Sequence, residues 1–402
     1  MKVLVCHPGR QHSHQAALAL QAAGMLAGYW TGIPCFDKQR LFLPKSIWQK
    51  CIRYAPVELE PGLVKWNPIA PLIHKLTSCF NPTLASWFEY QGYWAFDRWA
   101  ARQLGRLNPR PDAVIGYENS SLKTFNMAKR LGIKTILDAA ALHHKTQDRF
   151  YEHVEKPLLH KRIATIKDQE IALTDHVLVL SDLALRSYLG AGVEAKRLHK
   201  LALGVDTEFF QPTKDIRDHE SFKFIFIGGA TRHKGIDLLF QAFEQALKAH
   251  PGAQLTIIGH FRNEWKAPRR KYPNSIWFSG ALSQKQLAEE YRHADCLILP
   301  SRHDSFGMVV LEALSSGLPV IVSDHVGAKD CVAEGQNGWI VPAGNAEMLA
   351  ERMAWCLCNP IQVRLMKEQC RALALRANWI NYHNQLVELM KGPMTRSEFN
   401  HD

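Results

Sequence analysis

Three things are missing from this sequence, and each absence excludes a class. No run of apolar residues approaches the roughly 20 needed to cross a bilayer as a helix. No Cys-x-x-Cys pair occurs among the nine cysteines, an odd number whose closest pair is Cys356 and Cys358. Neither a disulfide framework nor a metal knuckle is therefore expected, and reduced, buried thiols are. There is also no long basic run, no zinc-finger spacing and no aromatic RNP-like strand, which argues against a nucleic-acid partner. The opening Met1 to Gly9 holds only a short apolar run before Pro8 and Gly9, shorter than the core of a secretion signal, so the expectation is a cytoplasmic protein.

What is present belongs to a folded, two-domain chain. The 402 residues exceed one ordinary core, and 47% apolar with 22% charged residues is a globular composition. The formal charge of +11 points to an anionic partner, either a nucleotide diphosphate or an acidic membrane surface. Short apolar strands alternate with longer periodic helices twice over, which predicts α/β architecture: two Rossmann-like doubly wound domains facing a central cleft. The first half opens with a strand over 2–6 and a helix from about 11 to 23, with further strands near 113–115, 134–137, 176–180 and 198–201. The second restarts with a strand at 222–227, then Gly228, Gly229, a basic turn and a helix carrying Ile236, Leu239, Phe240, Phe243 and Leu247 on one face. Strands near 255–258, 276–278, 296–299, 320–322 and 339–341 complete it. The expected boundaries are 1–204 and 205–402, with turn residues over 204–212 as the linker. Between about Phe42 and Trp99 lie five tryptophans and several prolines. Within that interval Leu43, Ile47, Cys51 and Tyr54 share a helical stripe beside Lys45, Lys50 and Arg53, a pattern that suits either a packing helix or an anionic membrane surface.

Three places carry candidate chemistry. After the apolar strand ending at Leu299, Asp304 precedes a Phe306-Gly307 helix start and Glu312 follows eight residues on. On a continuous helix such a pair lies about 12 Å apart, too far for one dyad, so the two acids are expected to meet different parts of one long ligand. Asp304 is assigned to hydroxyls of a transferred sugar and Glu312 to a ribose diol. Carboxylates at a helix start are commonly dipole partners, and only the surrounding pattern argues for more. The second place is the turn Thr231-Arg232-His233-Lys234-Gly235, whose cations, Lys234 first and Arg232 second, suit a leaving diphosphate without a metal. The third is Asp138 at a strand end with His143 and His144 after it, where His143 is a candidate for binding the donor sugar or orienting an acceptor hydroxyl. His7, His12 and His14 match no standard zinc spacing, and Gly9 is the better ligand-approach candidate there.

With these residues in view, the chain resembles the retaining family 4 glycosyltransferases of the GT-B fold (glycosyl transferases group 1). The resemblance rests on His7-Pro8-Gly9-Arg10, Asp138 with His143, Gly204-Val205-Asp206 with Phe210 and Pro212, and Gly228 with Lys234-Gly235. It continues through Pro300-Ser301 and Phe306-Gly307, then Glu312-Ala313 to Gly317-Leu318-Pro319-Val320. It implies a nucleotide-sugar donor of UDP or GDP type bound mainly by the second half and a glycan acceptor held by the first. It also implies retention without a metal ion or other cofactor, by front-face attack in which the departing phosphate oxygen helps to take the acceptor proton. The segment from about 378, with Trp379 and Tyr382, is implied to cross back onto the first domain. The donor-binding candidates are then Gly9, Gly228, Gly229, Arg232, Lys234, Ser305, Phe306, Gly307, Met308, Val309 and Glu312; the catalytic ones are Asp304, Glu312, His143 and Lys234. Two positions depart from the family pattern: Asp304 stands where Glu is usual, and Gly229 where Arg is frequent. A sugar-nucleotide epimerase of similar fold and a decayed nucleotide-sugar-binding scaffold are the alternatives. An envelope or lipid-linked glycan, with peripheral contact at the inner face of the cytoplasmic membrane, fits the charge.

Overall fold

The structure is a computed structural model that describes residues 1–9, 11–32, 58–67, 82–150, 157–213, 221–261, 265 and 267–392, with backbone only for 82–86, 267 and 269. Arg10 and the stripe of Leu43, Ile47, Cys51 and Tyr54 lie outside these residues. Among the described residues no helix is long and apolar enough to cross a membrane.

Two parallel sheets form the core. The first contains seven strands: β1 (Val3–His7), β2 (Leu26–Thr31), β3 (Val64–Trp66), β4 (Ala113–Tyr117), β5 (Lys134–Ala139), β6 (His176–Val179) and β7 (Leu198–Lys200). Their spatial order is β3-β2-β1-β4-β5-β6-β7. The second has six: β8 (Lys223–Ile227), β9 (Gln254–Ile258), β10 (Ile276–Gly280), β11 (Cys296–Leu299), β12 (Val320–Ser323) and β13 (Gly338–Val341), in the order β10-β9-β8-β11-β12-β13. In each sheet the order reverses beside the first strand, at β1/β4 and at β8/β11, which are the switch points where such sheets bind ligands. Helices cover both faces, so the central strands are buried throughout. β1, β4, β11 and β12 have no exposed residue and read in sequence as unbroken apolar runs.

Two strands fall outside the sequence-based expectations. β2 follows Gly24, which ends the first helix in the left-handed region at φ 65°, and draws on Tyr29 and Trp30 as strand formers. β3 is a three-residue edge strand, too short to leave a periodic signal. In the tryptophan-rich interval, the helix Pro82–Arg106 turns Trp94 and Trp99 inward: Trp94 lies under the Arg162 guanidinium at 4.1 Å, and Trp99 meets Trp30 edge-on at 5.7 Å.

The last helix, Trp379–Lys391, returns to the first domain and packs on the helix Ser13–Ala22, where His383 Nε2 lies 2.7 Å from Gln15 Oε1. The chain passes from the first sheet to the second at Gly204, which is pressed against this returning segment. A Cβ there would sit 2.4 Å from the Trp379 nitrogen and 2.5 Å from the Asn378 carbonyl carbon. Because the obstacle is backbone, relief requires moving the helix start. Gly204→Ala is therefore expected to cost about 1–3 kcal/mol, read as a lowered melting temperature; an unchanged melt would show that this junction is loosely packed.

Candidate functional site

The carboxyl edge of the second sheet is built from two loops welded together. β8 and β11 are neighbours, so the loops that follow them lie side by side. Arg302, in the loop after β11, forks onto both carboxylate oxygens of Asp237 at 2.7 Å and donates to the Arg232 carbonyl. Its own N–H donates to the His233 carbonyl at 2.9 Å. Gly235, at φ 72°, fits because its missing side chain would lie 2.0 Å from the Pro300 carbonyl oxygen. Across this weld Lys234 Nζ reaches Asp304 Oδ2 at 2.6 Å.

A cavity of about 610 Å³ opens above that ion pair and collects most of the donor candidates: Gly228, Lys234, Asp304, Ser305, Phe306, Gly307, Met308 and Val309 all line it. Gly307, at φ 90°, is the N-cap of the helix Met308–Ser315, whose first-turn amides face this edge. Asp304 does not belong to that helix. It bridges to Val326 in extended backbone before the cap, so the separation from Glu312 expected of one continuous helix does not apply. Glu312 lies deeper, its Oε2 accepting from the Tyr291 hydroxyl at 2.7 Å; burial raises its pKa and that hydrogen bond opposes the rise.

The other candidates sit elsewhere. Gly229 and Arg232 are not on the cavity wall; Arg232 is largely exposed, 3.8 Å from Asp237. Arg232 is thus tied to the weld through its carbonyl while its side chain reaches solvent. Gly9 is also off the cavity wall, its N–H donating to His7 Nδ1 at 2.8 Å and its carbonyl accepting from Thr31. His143 is likewise off the cavity wall. It is buried beneath the wall, stacked on His144 at 4.5 Å, with its backbone N–H on Ser187 and its ring edge-on to Tyr188. The reason is local: Leu142 takes the interface position, its N–H donating to Ser305 Oγ at 3.0 Å, and the next residue turns inward to cap the short helix His144–Gln147. His144 Nε2 pairs with Asp168 at 2.7 Å; among the described residues His143, His144 and Asp168 form the group whose ligand atoms lie within metal-binding reach.

On the first domain's side the cavity is lined by Gln11, His12, His14 and Ala140, and by Trp379 from the returning helix. Reading the sequence did not select His12 as a cleft residue. The one signal in the sequence was that His12 and Asp138 each follow an apolar strand; the adjacency of β1, β4 and β5 that brings them together belongs to the fold. His12 Nε2 lies 2.8 Å from Asp138 Oδ2. A second cavity, about 300 Å³, adjoins the first through Gln11 and Ala140 and is lined by His7, Glu89, Tyr90, Tyr93, Asp138 and Lys167 among others.

Residues 208–375 match the family described as glycosyl transferases group 1. A GDP-mannose-dependent alpha-mannosyltransferase of Mycobacterium tuberculosis is 28% identical over 242 residues, covering 58% of this chain and 59% of the relative. The chain spans about half the length of the curated relatives it matches. Among solved structures, the sucrose-phosphate synthase of Thermosynechococcus elongatus superposes with a TM-score of 0.72 at 18% identity, covering 99% of this chain and 100% of that one. Anabaena HepE in complex with UDP-glucose does so at 0.67 and 14%, covering 97% and 99%. The fold is thus GT-B.

Burial also gives the molecule an acid-sensitive set of histidines. His7, His143 and His176 are each held down to about 4 mainly by burial, and His303 to about 3 by burial and then by His233, Lys234 and His325. Unfolded, these rings bind protons near pH 6.5, so below that value the unfolded chain takes up protons that the folded one refuses. Stability is therefore present in full above about pH 6.5 and is lost as pH falls toward 4. Melting temperature should drop monotonically from pH 7 to pH 5; a flat profile over that interval would contradict the burial of these rings.

Proposed function

We propose that the protein is a retaining glycosyltransferase that moves a sugar from a UDP- or GDP-sugar to a glycan acceptor, without a metal ion, by front-face attack. The observation that carries the reading is the Lys234–Asp304 pair at 2.6 Å on the wall of the 610 Å³ cavity, directly before the Phe306-Gly307 helix start. In this reading the diphosphate lies against Lys234 and the first-turn amides, which neutralise the charge that grows as the sugar leaves. Asp304, steered by Lys234, accepts from sugar hydroxyls. Glu312, one turn into the helix, takes the ribose diol, with the Tyr291 hydroxyl fixing its orientation. The match of residues 208–375 to glycosyl transferases group 1 supports transfer over epimerisation. An envelope or lipid-linked glycan acceptor, reached at the inner face of the cytoplasmic membrane, is supported by the formal charge of +11.

Lys234→Ala and Glu312→Ala are each expected to cut transfer about 10²-fold or more while the protein stays folded, measured as product formed from radiolabelled donor and an acceptor glycan. Near-wild-type turnover in both would place the donor elsewhere. Asp304→Glu should retain activity, because the cavity is open beside it; complete loss would mean the pocket is fitted to the shorter acid. Donor consumed with no acceptor present, and a changed sugar recovered, would replace transfer by epimerisation.

A further inference from the structure

In the transferase reading the departing phosphate oxygen helps to take the acceptor's proton, and the first domain holds a second group placed to receive it. His12 lies at the N-cap of the helix Ser13–Ala22, on the wall of the donor cavity. It is 7% exposed and Asp138 is 2% exposed, and their contact at 2.8 Å joins His12 Nε2 to Asp138 Oδ2. A carboxylate only accepts, so this contact puts the ring proton on Nε2 and leaves the lone pair on Nδ1. The two residues also mark the junction of the two cavities: His12 lines the larger, Asp138 the smaller, and Gln11 and Ala140 line both. An acceptor entering through the smaller cavity meets the donor sugar at this junction.

Resting on the transferase reading, we propose that His12 is a catalytic residue that takes the proton of the attacking acceptor hydroxyl, with Asp138 as its positioning residue. In that step the acceptor O–H bond breaks and its oxygen bonds to the anomeric carbon. The bond from that carbon to the diphosphate oxygen breaks, its electron pair leaving with the nucleoside diphosphate. The proton goes to His12 Nδ1 and is later released to water. The arrangement differs from one in which the departing phosphate oxygen alone takes the proton. Among the described residues, the titratable groups set around His12 are His7 from β1, Tyr117 from β4, Asp138 from β5 and Tyr382 from the returning helix, with His14 on the same cavity wall. His7 is held down to about 4, mainly by burial.

The experiment is the pH profile of kcat for the wild type, His12→Gln and Asp138→Asn, with donor affinity measured separately by titration calorimetry. The wild type should lose rate on the acid side with the uptake of one proton. His12→Gln should lower kcat about 10²-fold or more, abolish that acid limb and leave donor affinity within about threefold. Asp138→Asn should lower kcat by allowing the other tautomer, again without loss of donor binding. A His12→Gln enzyme with kcat within threefold of wild type, or with the acid limb intact, would overturn the proposal and leave the proton to the phosphate oxygen. If His12→Gln fails to fold, His12→Ala is read instead by addition of imidazole: kcat restored by imidazole supports a base at this position, and kcat unaffected by it contradicts the proposal. Wild-type protein that binds no donor and transfers nothing would instead defeat the transferase reading.

Discussion

The weld between the loops after β8 and β11 is the constraint on which the candidate site depends. Two strands that pair side by side bring Lys234 and Asp304 into range, but only the Arg302 fork on Asp237 and the absence of a side chain at Gly235 let the loops close to that distance. A buried or half-buried bidentate pair of this kind is geometrically demanding, which makes it a good fixture and a poor hinge. The donor side is therefore preorganised: its cation, its carboxylate and its helix amides are set before any ligand arrives, so little reorganisation is required when charge develops.

The first domain meets this rigid edge through few but specific contacts. Ser305 sits at the centre of them, its hydroxyl accepting from Leu142 and its carbonyl accepting from Ser181. Gly327 is held beside the same carbonyl, with no room for a side chain. The loop that carries Asp304 is thus held by both domains at once. The returning helix adds a second tie, through His383 to Gln15, and contributes Trp379 to the cavity wall.

Much of this was legible in the sequence because it is local. Buried parallel strands announce themselves as apolar runs, and the turn of Arg232 to Gly235 and the Asp304 to Glu312 stretch follow such runs directly. What was not legible is what depends on partners distant in the chain. His143 and His144 are adjacent in sequence, and nothing in it says that the Leu142 amide meets Ser305 of the second domain while both rings turn inward. His12 and Asp138 are 126 residues apart and become a pair only because β1, β4 and β5 lie together. The role of Arg302 as a clamp needs Asp237, 65 residues away on the helix Ile236–Ala249, and leaves no local mark in the sequence. Edge strand β3 is too short to carry any period at all.

The central claim is that the cavity above Lys234 and Asp304 binds a nucleoside diphosphate sugar without a metal. The most direct test is thermal stabilisation of the purified protein by a panel of UDP-, GDP- and ADP-sugars and the free nucleotides, in EDTA, since a ligand that binds only the folded state raises the melting temperature. A metal-independent shift confined to one nucleotide class is predicted, with the diphosphate retaining most of it. No shift with any member, or one that appears only when a divalent ion is restored, would contradict the account.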